Sequence, residues 1–273
     1  MLRRDTNGIV DPRTLTRRVR YRRLPPAPEL ARWIEHYWFI DWDLAEPHTQ
    51  HVVGHPTVTL TVMKPTSDDP VTGRVTGPAR ALFTIELAGR GWVRGAQFRP
   101  GAARAFLGRS PGGLAGRQVP VAEALPAFDW TAVAKAAELM APDEAVVAVL
   151  DAALIACAPV PDPRSDQAVA IVEAVREDRS LRRVDEVARA AGLSVRALQR
   201  LFAEQVGVSP KWVLLRYRIH DAVAAAAPEV DWAGLAADLG YADQAHLVRD
   251  FTATLGVPPV AYAARLPPAS ERA

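Results

Sequence analysis

A glycine, a capping serine and three polar side chains follow one another at helical spacing in the carboxyl-terminal part of the chain. Gly192 ends one short apolar-periodic segment and Ser194 can cap the next. This places Arg196, Gln199 and Arg200 on the exposed face of the second helix. An arginine can pair bidentately with guanine and a glutamine with adenine. We therefore predict that these three side chains contact bases or phosphates. The alternative is a solvated helix surface, because the sequence leaves the register of the helix open.

The same pattern recurs roughly 50 residues further along the chain, as an internal repeat would. Asp231 can cap a helix that Gly240 ends, and a second helix is predicted over residues 243–255. On that second helix, Gln244 and Arg249 lie on the face that corresponds to the exposed face of the first repeat. We predict that these two side chains also contact DNA.

One long helical pattern joins the two repeats. Ser209 and Pro210 can open it, since proline is tolerated in the first turn of a helix, and it runs to about Ala226. Two short helices separated by a glycine turn form a helix-turn-helix unit, whose second helix can enter the major groove. The sequence therefore predicts two such units joined by one helix.

Over residues 165–266 the chain resembles the DNA-binding domain of the AraC/XylS family of bacterial transcription regulators. Five segments carry the resemblance: Leu193 to Phe202, Gly207 to Pro210, Leu215 to Ile219, Ala236 to Tyr241 and Gly256 to Tyr262. The resemblance implies an all-α domain with two helix-turn-helix units. It also implies double-stranded promoter or operator DNA as a partner, with RNA polymerase as a further partner if the protein is an activator.

Charge is distributed unequally between the two repeats. From residue 179 to 218, around the first repeat, there are nine basic residues, namely Arg179, Arg182, Arg183, Arg189, Arg196, Arg200, Lys211, Arg216 and Arg218, against Asp185, Glu186 and Glu204. From residue 219 to 266 only Arg249 and Arg265 oppose Asp221, Glu229, Asp231, Asp238, Asp243 and Asp250. Because phosphate contacts supply most non-specific affinity, we predict that the first unit anchors binding and the second contributes less.

The amino-terminal half has a β pattern. Between residues 52 and 121, apolar residues alternate with polar ones and glycines and prolines separate the runs, which predicts a small barrel or sandwich. A helical tail follows over residues 130–156, with apolar stripes that can mediate dimerisation. The segment Gly95 to Gly108, preceded by Tyr37 and Trp38, is similar to a cupin-like domain of unknown ligand found before AraC-type domains. That similarity implies a sensor of a small-molecule effector or a homodimerisation module.

The predicted fold class is therefore α+β and multidomain: an amino-terminal β-rich cupin-like barrel with a helical tail, and a carboxyl-terminal all-α double helix-turn-helix. The predicted divisions are a flexible basic arm (1–23), the sensor or dimerisation domain (24–158), a Pro-rich linker (159–164), the DNA-binding domain (165–266) and a tail (267–273).

Composition narrows the setting in which the protein works. The formal net charge is +2 and hydrophobic residues make up 49%, so the chain is ordinary globular protein without a global field that selects its partner. A single cysteine, Cys157, cannot form an internal disulfide, and no apolar run approaches the roughly 20 residues that span a bilayer. We therefore predict a cytoplasmic protein without a membrane partner.

Two further groups of side chains invite a chemical role. His48, His51 and His55 fall within eight positions, but no cysteine or well-spaced carboxylate completes a zinc shell, so we predict no metal, no cofactor and no catalytic residue. Four tryptophans fit either the core, which is favoured, or an apolar pocket: Trp33, Trp38, Trp42 and Trp92.

Two alternatives remain for the amino-terminal domain. The first is a ligand-free oligomerisation module. The second is a cupin-type metal enzyme fused to a DNA-binding domain, which the absence of a His-x-His pair disfavours. Residue types do not encode the effector, the operator and target genes, whether regulation is activating or repressing, or the oligomeric state. Nor do they encode any contact of the basic arm with DNA.

Overall fold

The computed structural model describes residues 8–266, and its first elements are a short helix and a strand. Helix α1 (Pro12–Arg18) is capped by the Asp11 carboxylate, and β1 (Val19–Leu24) follows directly. Leu15 and Val19 are buried. The prediction of a flexible arm is therefore wrong for this segment, because these two apolar residues among the arginines supply a buried face. Residues 1–7 and the predicted tail, 267–273, lie outside the described residues.

Six strands form one antiparallel sheet in the amino-terminal domain. After β1 come β2 (Ile34–Val52), β3 (Thr59–Lys64), β4 (Thr72–Thr76), β5 (Phe83–Phe98) and β6 (Gln118–Pro120). They are hydrogen-bonded in the order β1-β2-β5-β3-β4-β6, and each neighbouring pair is antiparallel. The β-rich amino-terminal domain predicted from the sequence is confirmed.

The period-2 alternation of the long strands gives the sheet two different apolar faces. Tyr37 and Phe39 of β2 are buried in the main core, whereas Trp38 and Ile40 point to the opposite face and line a cavity. Trp38 lies against the backbone of Gly95 in β5, where a Cβ would come 2.1 Å from an indole carbon. Glycine is therefore required at this position for the indole to lie against the strand.

Short helices cover the core face of the sheet. They are a 3₁₀ turn (Pro28–Leu30), α2 (Arg104–Leu107), a second 3₁₀ turn (Pro111–Leu114), α3 (Val121–Ala124), α4 (Trp130–Glu138) and α5 (Asp143–Ala156). Val146, Leu150 and Leu154 of α5 are buried at helical spacing in the core cluster that also holds Tyr37 and Phe39. The helical tail is thus an integral layer of the amino-terminal domain.

The carboxyl-terminal domain is all-α, as predicted. Its helices are α6 (Pro163–Glu177), α7 (Val184–Ala190), α8 (Val195–Gln205), α9 (Pro210–Ala225), α10 (Trp232–Asp238), α11 (Gln244–Leu255) and α12 (Pro259–Ala263). Ser194, Ser209 and Asp231 cap their helices through side-chain oxygens, as the sequence indicates. Gly192 and Gly240 both have positive φ, 65° and 75°, at the turn inside each unit.

Helix α9 contributes to two separate cores. Its first half places Val213, Leu214 and Tyr217 against the first helix-turn-helix unit. Its second half places Ile219 and Ala222 against the second unit. One rigid helix therefore fixes the spacing of both units.

The two domains are in extensive contact rather than joined only by a linker. Ser165 Oγ donates a hydrogen bond to the Gly101 carbonyl at 2.6 Å, and Arg99 pairs with Glu173 at 2.6 Å. Val53 of the amino-terminal domain is buried within the core of the second unit. The predicted linker, 159–164, also ends earlier than expected, because the Asp162 side chain caps α6 and Pro163 begins it.

Candidate DNA-binding surface and adjoining cavity

The predicted base-reading residues of the first unit share one exposed face of α8. Arg196, Gln199 and Arg200 are exposed, whereas Leu198 and Leu201 on the opposite face are buried. Within residues 8–266 these three exposed side chains have neither a hydrogen-bond nor an ion-pair partner, so their donors and acceptors are available to an external ligand. The Ser194 hydroxyl accepts a hydrogen bond from Ala197 N at 3.1 Å and fixes the start of the helix.

The second unit presents a sparser face. Gln244 and Arg249 are both exposed on α11, at the positions expected from the repeat. Asp243 caps this helix and also lies 2.9 Å from His246 Nδ1. The pKa of Asp243 is lowered by the backbone and side-chain hydrogen bonds of His246, so the carboxylate stays charged beside the predicted DNA face.

Not all of the basic residues of the first unit are free for phosphate. Arg216 is only 4% exposed, and it donates to the Ala79 carbonyl at 3.0 Å and stacks over Trp212. Burial lowers the pKa of its guanidinium to about 10. Arg182 donates to the Asp238 carbonyl at 3.0 Å and thereby joins the two units. The count of basic residues in the sequence thus overstates the positive surface.

A cavity of about 970 Å³ lies on the other face of the sheet. Its apolar wall includes the side chains of Trp38, Ile40, Trp42 and Met63. Each of the two alternatives predicted for the tryptophans therefore applies to two of them. Trp38 and Trp42 line the cavity, whereas Trp33 and Trp92 pack against the main core. Residues of the carboxyl-terminal domain complete the wall: Arg176, Glu177, Arg179 and Asp221.

An ion pair between the domains forms the polar end of this cavity. The Glu35 carboxylate accepts hydrogen bonds from Arg176 at 2.8 Å and from Gln97 at 2.9 Å. Burial would raise the pKa of Glu35, but these hydrogen bonds and the charge of Arg176 outweigh it and lower the pKa to about 2. Beside it, Arg23 bonds to His36 Nδ1 at 2.8 Å, and burial together with the charge of Arg23 lowers the pKa of His36 to about 3. The polar end thus holds a fixed carboxylate, two guanidinium groups and a neutral imidazole.

A stack of imidazoles connects the cavity to α9. His55, which lines the cavity, lies face to face with His220 of α9 at 4.4 Å between ring centroids. Burial lowers the pKa of His220 well below its usual value, so the ring is neutral. The other two clustered histidines pair with protein groups, His48 with Gln50 and His51 with Thr84. Between residues 8 and 266 no group of three or more potential metal-ligating side chains occurs.

Sequence reasoning did not identify the polar end of the cavity. Glu35 and Arg176 are 141 positions apart, and neither belongs to a motif. The alternation of β2 was a usable signal for the cavity face, since it separates Trp38 from Tyr37. No spacing rule pairs a strand residue with a helix of another domain.

Over the same described residues, no helix has both the length and the apolar character needed to cross a membrane.

Two family models match separate parts of the chain. Residues 187–265 match a helix-turn-helix domain family, and residues 22–120 match a domain of unknown function, DUF6597. No curated protein matches the chain.

Solved structures of ToxT from Vibrio cholerae are similar to the chain at low identity. One ToxT structure is 11% identical, covers 84% of this chain and 98% of its own, and has a TM-score of 0.43. An unsaturated fatty acid-bound ToxT is 10% identical, with 84% and 95% covered and a TM-score of 0.40. Because these identities and TM-scores are low, the ToxT structures carry no argument about this chain. The assignment of the helix-turn-helix domain rests on the family models and on the residues themselves.

The family match, the repeated caps and glycines, and the exposed faces of α8 and α11 agree with one another. The resemblance identified in the sequence is confirmed. The chain thus carries a helix-turn-helix domain of two units behind a β-rich DUF6597 domain, which is the arrangement that the resemblance to AraC/XylS-type regulators implies.

Proposed function

We propose that the protein is a sequence-specific regulator of transcription whose α8 and α11 enter the major groove of an asymmetric promoter site, and whose affinity responds to a small molecule in the cavity. The observation that carries the first part is the face of α8, where Arg196, Gln199 and Arg200 are exposed while the opposite face is buried. Such a face fits the groove and presents bidentate donors to base edges. The site of action is the cytoplasm, where chromosomal DNA lies in bacteria.

The cavity supports the regulatory part of the proposal. It is within the size range of small-molecule sites and combines apolar walls with a few polar groups. The DNA-binding domain supplies part of its wall, including Arg176 and Asp221. A ligand that contacts both walls has different affinities for the docked and separated domain arrangements, which is the thermodynamic requirement for control.

Selection of genomic fragments by the purified full-length protein at about physiological salt tests DNA reading. Specific sites should exceed non-specific binding by roughly 10³-fold or more and share one asymmetric motif. R196A and R200A should each weaken binding to that motif while leaving the protein folded. Binding that is only salt-sensitive and sequence-independent would contradict specific reading by the unaided protein.

A thermal-shift screen of metabolites tests control by a small molecule. A cavity ligand should raise the melting temperature of the native protein and should not raise that of T61W, whose indole would fill part of the cavity. A compound that stabilises both proteins equally binds elsewhere. If no compound is found and the melting temperature depends on protein concentration alone, the ligand-free oligomerisation module is the better description of the amino-terminal domain.

Homodimerisation is the third part of this proposal. Ala145, Ala148 and Ala152 form an exposed stripe on α5 that continues to Ile155, which is also exposed. Their spacing of three and four residues places them along one side of the helix. Light scattering at micromolar concentration should give twice the chain mass for the native protein and the single mass for A148E. A native monomer contradicts a dimer. Whatever the oligomeric state, RNA polymerase is a further partner only if the protein is an activator.

A further inference from the structure

A loop of the amino-terminal domain lies at the end of the predicted recognition helix. Ser110 Oγ donates a hydrogen bond to the Ala203 carbonyl of α8 at 2.6 Å. Gly112 packs against Gly207, where a Cβ on Gly207 would come 2.6 Å from Gly112 N. The positive φ of Gly207, 85°, and the absence of side chains on both glycines allow this close approach. The segment 108–117, hereafter the 108–117 loop, is thus anchored to the first helix-turn-helix unit.

The anchor point belongs to the same face that holds the predicted base readers. Arg196, Gln199 or Arg200, and Ala203 are separated by three or four residues, so they lie in one row along α8. Ala203 is exposed like the others. The 108–117 loop therefore continues the row beyond its carboxyl-terminal end and is part of the same side of the molecule.

The loop brings positive charge without acidic residues. Arg109 and Arg117 are both exposed, and neither residues 87–122 nor residues 70–85 contain an aspartate or a glutamate. Among residues 8–266 the Arg117 side chain has one hydrogen-bond partner, the Gly113 carbonyl at 3.3 Å, which leaves further donors. The neighbouring carboxylate on α8, Glu204, is already paired with Arg164. Among the described residues neither Arg109 nor Arg117 has an ion-pair partner, so the positive charge of the loop is not paired within the protein.

We propose that the 108–117 loop is a second DNA-contacting element, in which Arg109 and Arg117 bind backbone phosphates beside the major groove that α8 enters. This inference rests on the proposed function of α8. A planar guanidinium binds phosphate through paired hydrogen bonds, and phosphate contacts hold a protein in register without reading sequence. The amino-terminal domain thereby adds directly to DNA affinity in the docked arrangement of the two domains.

Fluorescence anisotropy with the full-length protein tests the loop. The probes are the fragment obtained by genomic selection and an unrelated duplex of equal length, each at several salt concentrations. Each lost phosphate contact should reduce the slope of log K against log salt by about 0.9, which is a factor of about 5 in affinity near 0.15 M. R109A/R117A should therefore bind both duplexes roughly 30-fold more weakly, with equal losses on the two.

Three further variants make the outcome unambiguous. R109K/R117K keeps the charge and should keep most of the slope, and R90A removes an exposed arginine from strand β5 and should match the native protein. R200A should lose affinity chiefly for the selected fragment. The loop proposal is overturned if R109A/R117A binds DNA as tightly as the native protein or more tightly. This includes the case in which the variant loses transcriptional activity while its DNA affinity stays intact. If R200A also binds like the native protein, the proposed function of α8 has failed instead.

Discussion

The ion pair between Glu35 and Arg176 should contribute measurably to stability, because it is largely buried and joins the two domains. The carboxylate lies 2.8 Å from Arg176 and 2.9 Å from Gln97. Replacing Glu35 by glutamine preserves the size of the side chain but removes its charge. The Arg176 guanidinium then loses its nearest carboxylate, and we expect E35Q to unfold more easily than the native protein at pH 7.

The magnitude follows from the lowered pKa of Glu35. Burial opposes ionisation, yet the Gln97 hydrogen bond and Arg176 bring the pKa from 4.5 to about 2. A difference of this size corresponds to roughly 3 kcal/mol in favour of the ionised form. Part of that comes from Gln97, which can still bond to an amide, so E35Q should cost about 1–3 kcal/mol.

The sign of the pH dependence is fixed by the same shift. Because the folded pKa lies below the unfolded one, the stabilisation is complete above about pH 4.5 and is lost as pH falls to about 2. The difference in unfolding free energy between the native protein and E35Q should therefore be constant at neutral pH. It should shrink towards zero across the acidic range.

Urea unfolding followed by circular dichroism measures these differences. E29Q makes the same chemical change at an exposed carboxylate of the same domain and should lie within about 0.5 kcal/mol of the native protein. A double-mutant cycle with R176Q should give a coupling energy of about 1–3 kcal/mol. The reasoning is refuted if E35Q and E29Q are equally stable at pH 7, or if the gap between native protein and E35Q persists unchanged at pH 2.

Three shorter predictions concern other parts of the molecule. Arg200→Ala should cost more DNA affinity than Arg249→Ala in anisotropy titrations on the selected fragment, since acidic residues surround the second; equal losses contradict this ranking. Since the folded pKa of His36 is about 3, the native protein should lose stability as pH falls from 6.5 to 3. H36Q should flatten that slope by up to about 1.4 kcal/mol per pH unit in urea unfolding, and an unchanged slope would exclude His36 as its source. Gly95→Ala should destabilise by about 1–3 kcal/mol, because its Cβ would come 2.1 Å from an indole carbon, whereas Gly113→Ala meets nothing within 4 Å and serves as the control; similar melting temperatures for the two would contradict the close packing.

The helix-turn-helix units could be predicted from the sequence because their signals are local. Ser194 lies within one turn of the amide that it caps, and Gly192 ends the preceding helix by its own backbone conformation. The exposed row of α8 follows from the 3.6-residue period once Leu198 is assigned to the core. Whether Arg196, Gln199, Arg200, Gln244 and Arg249 contact DNA stays a prediction.

The cavity and the domain interface could not be predicted, because they depend on contacts between distant segments. Arg216 counts as a surface charge in the sequence, yet the amino-terminal domain buries it through the Ala79 carbonyl. In the arginine-rich amino-terminal segment, Leu15 and Val19 give too weak an apolar pattern to predict burial, because the residues that they pack against belong to β2 and β5. Composition alone therefore predicted a mobile arm where tertiary packing produces a helix and a strand.

The shared helix α9 has a consequence for the promoters that this protein can use. Its 16 residues span about 24 Å, and each half is built into the core of a different unit. On the proposed function of α8 and α11, the two half-sites are therefore read with a fixed phase, since the units cannot turn independently to follow the DNA. Inserting one base pair between the half-sites rotates one by about a tenth of a helical turn relative to the other. Such single insertions should be depleted among working promoters even when every contacted base is retained.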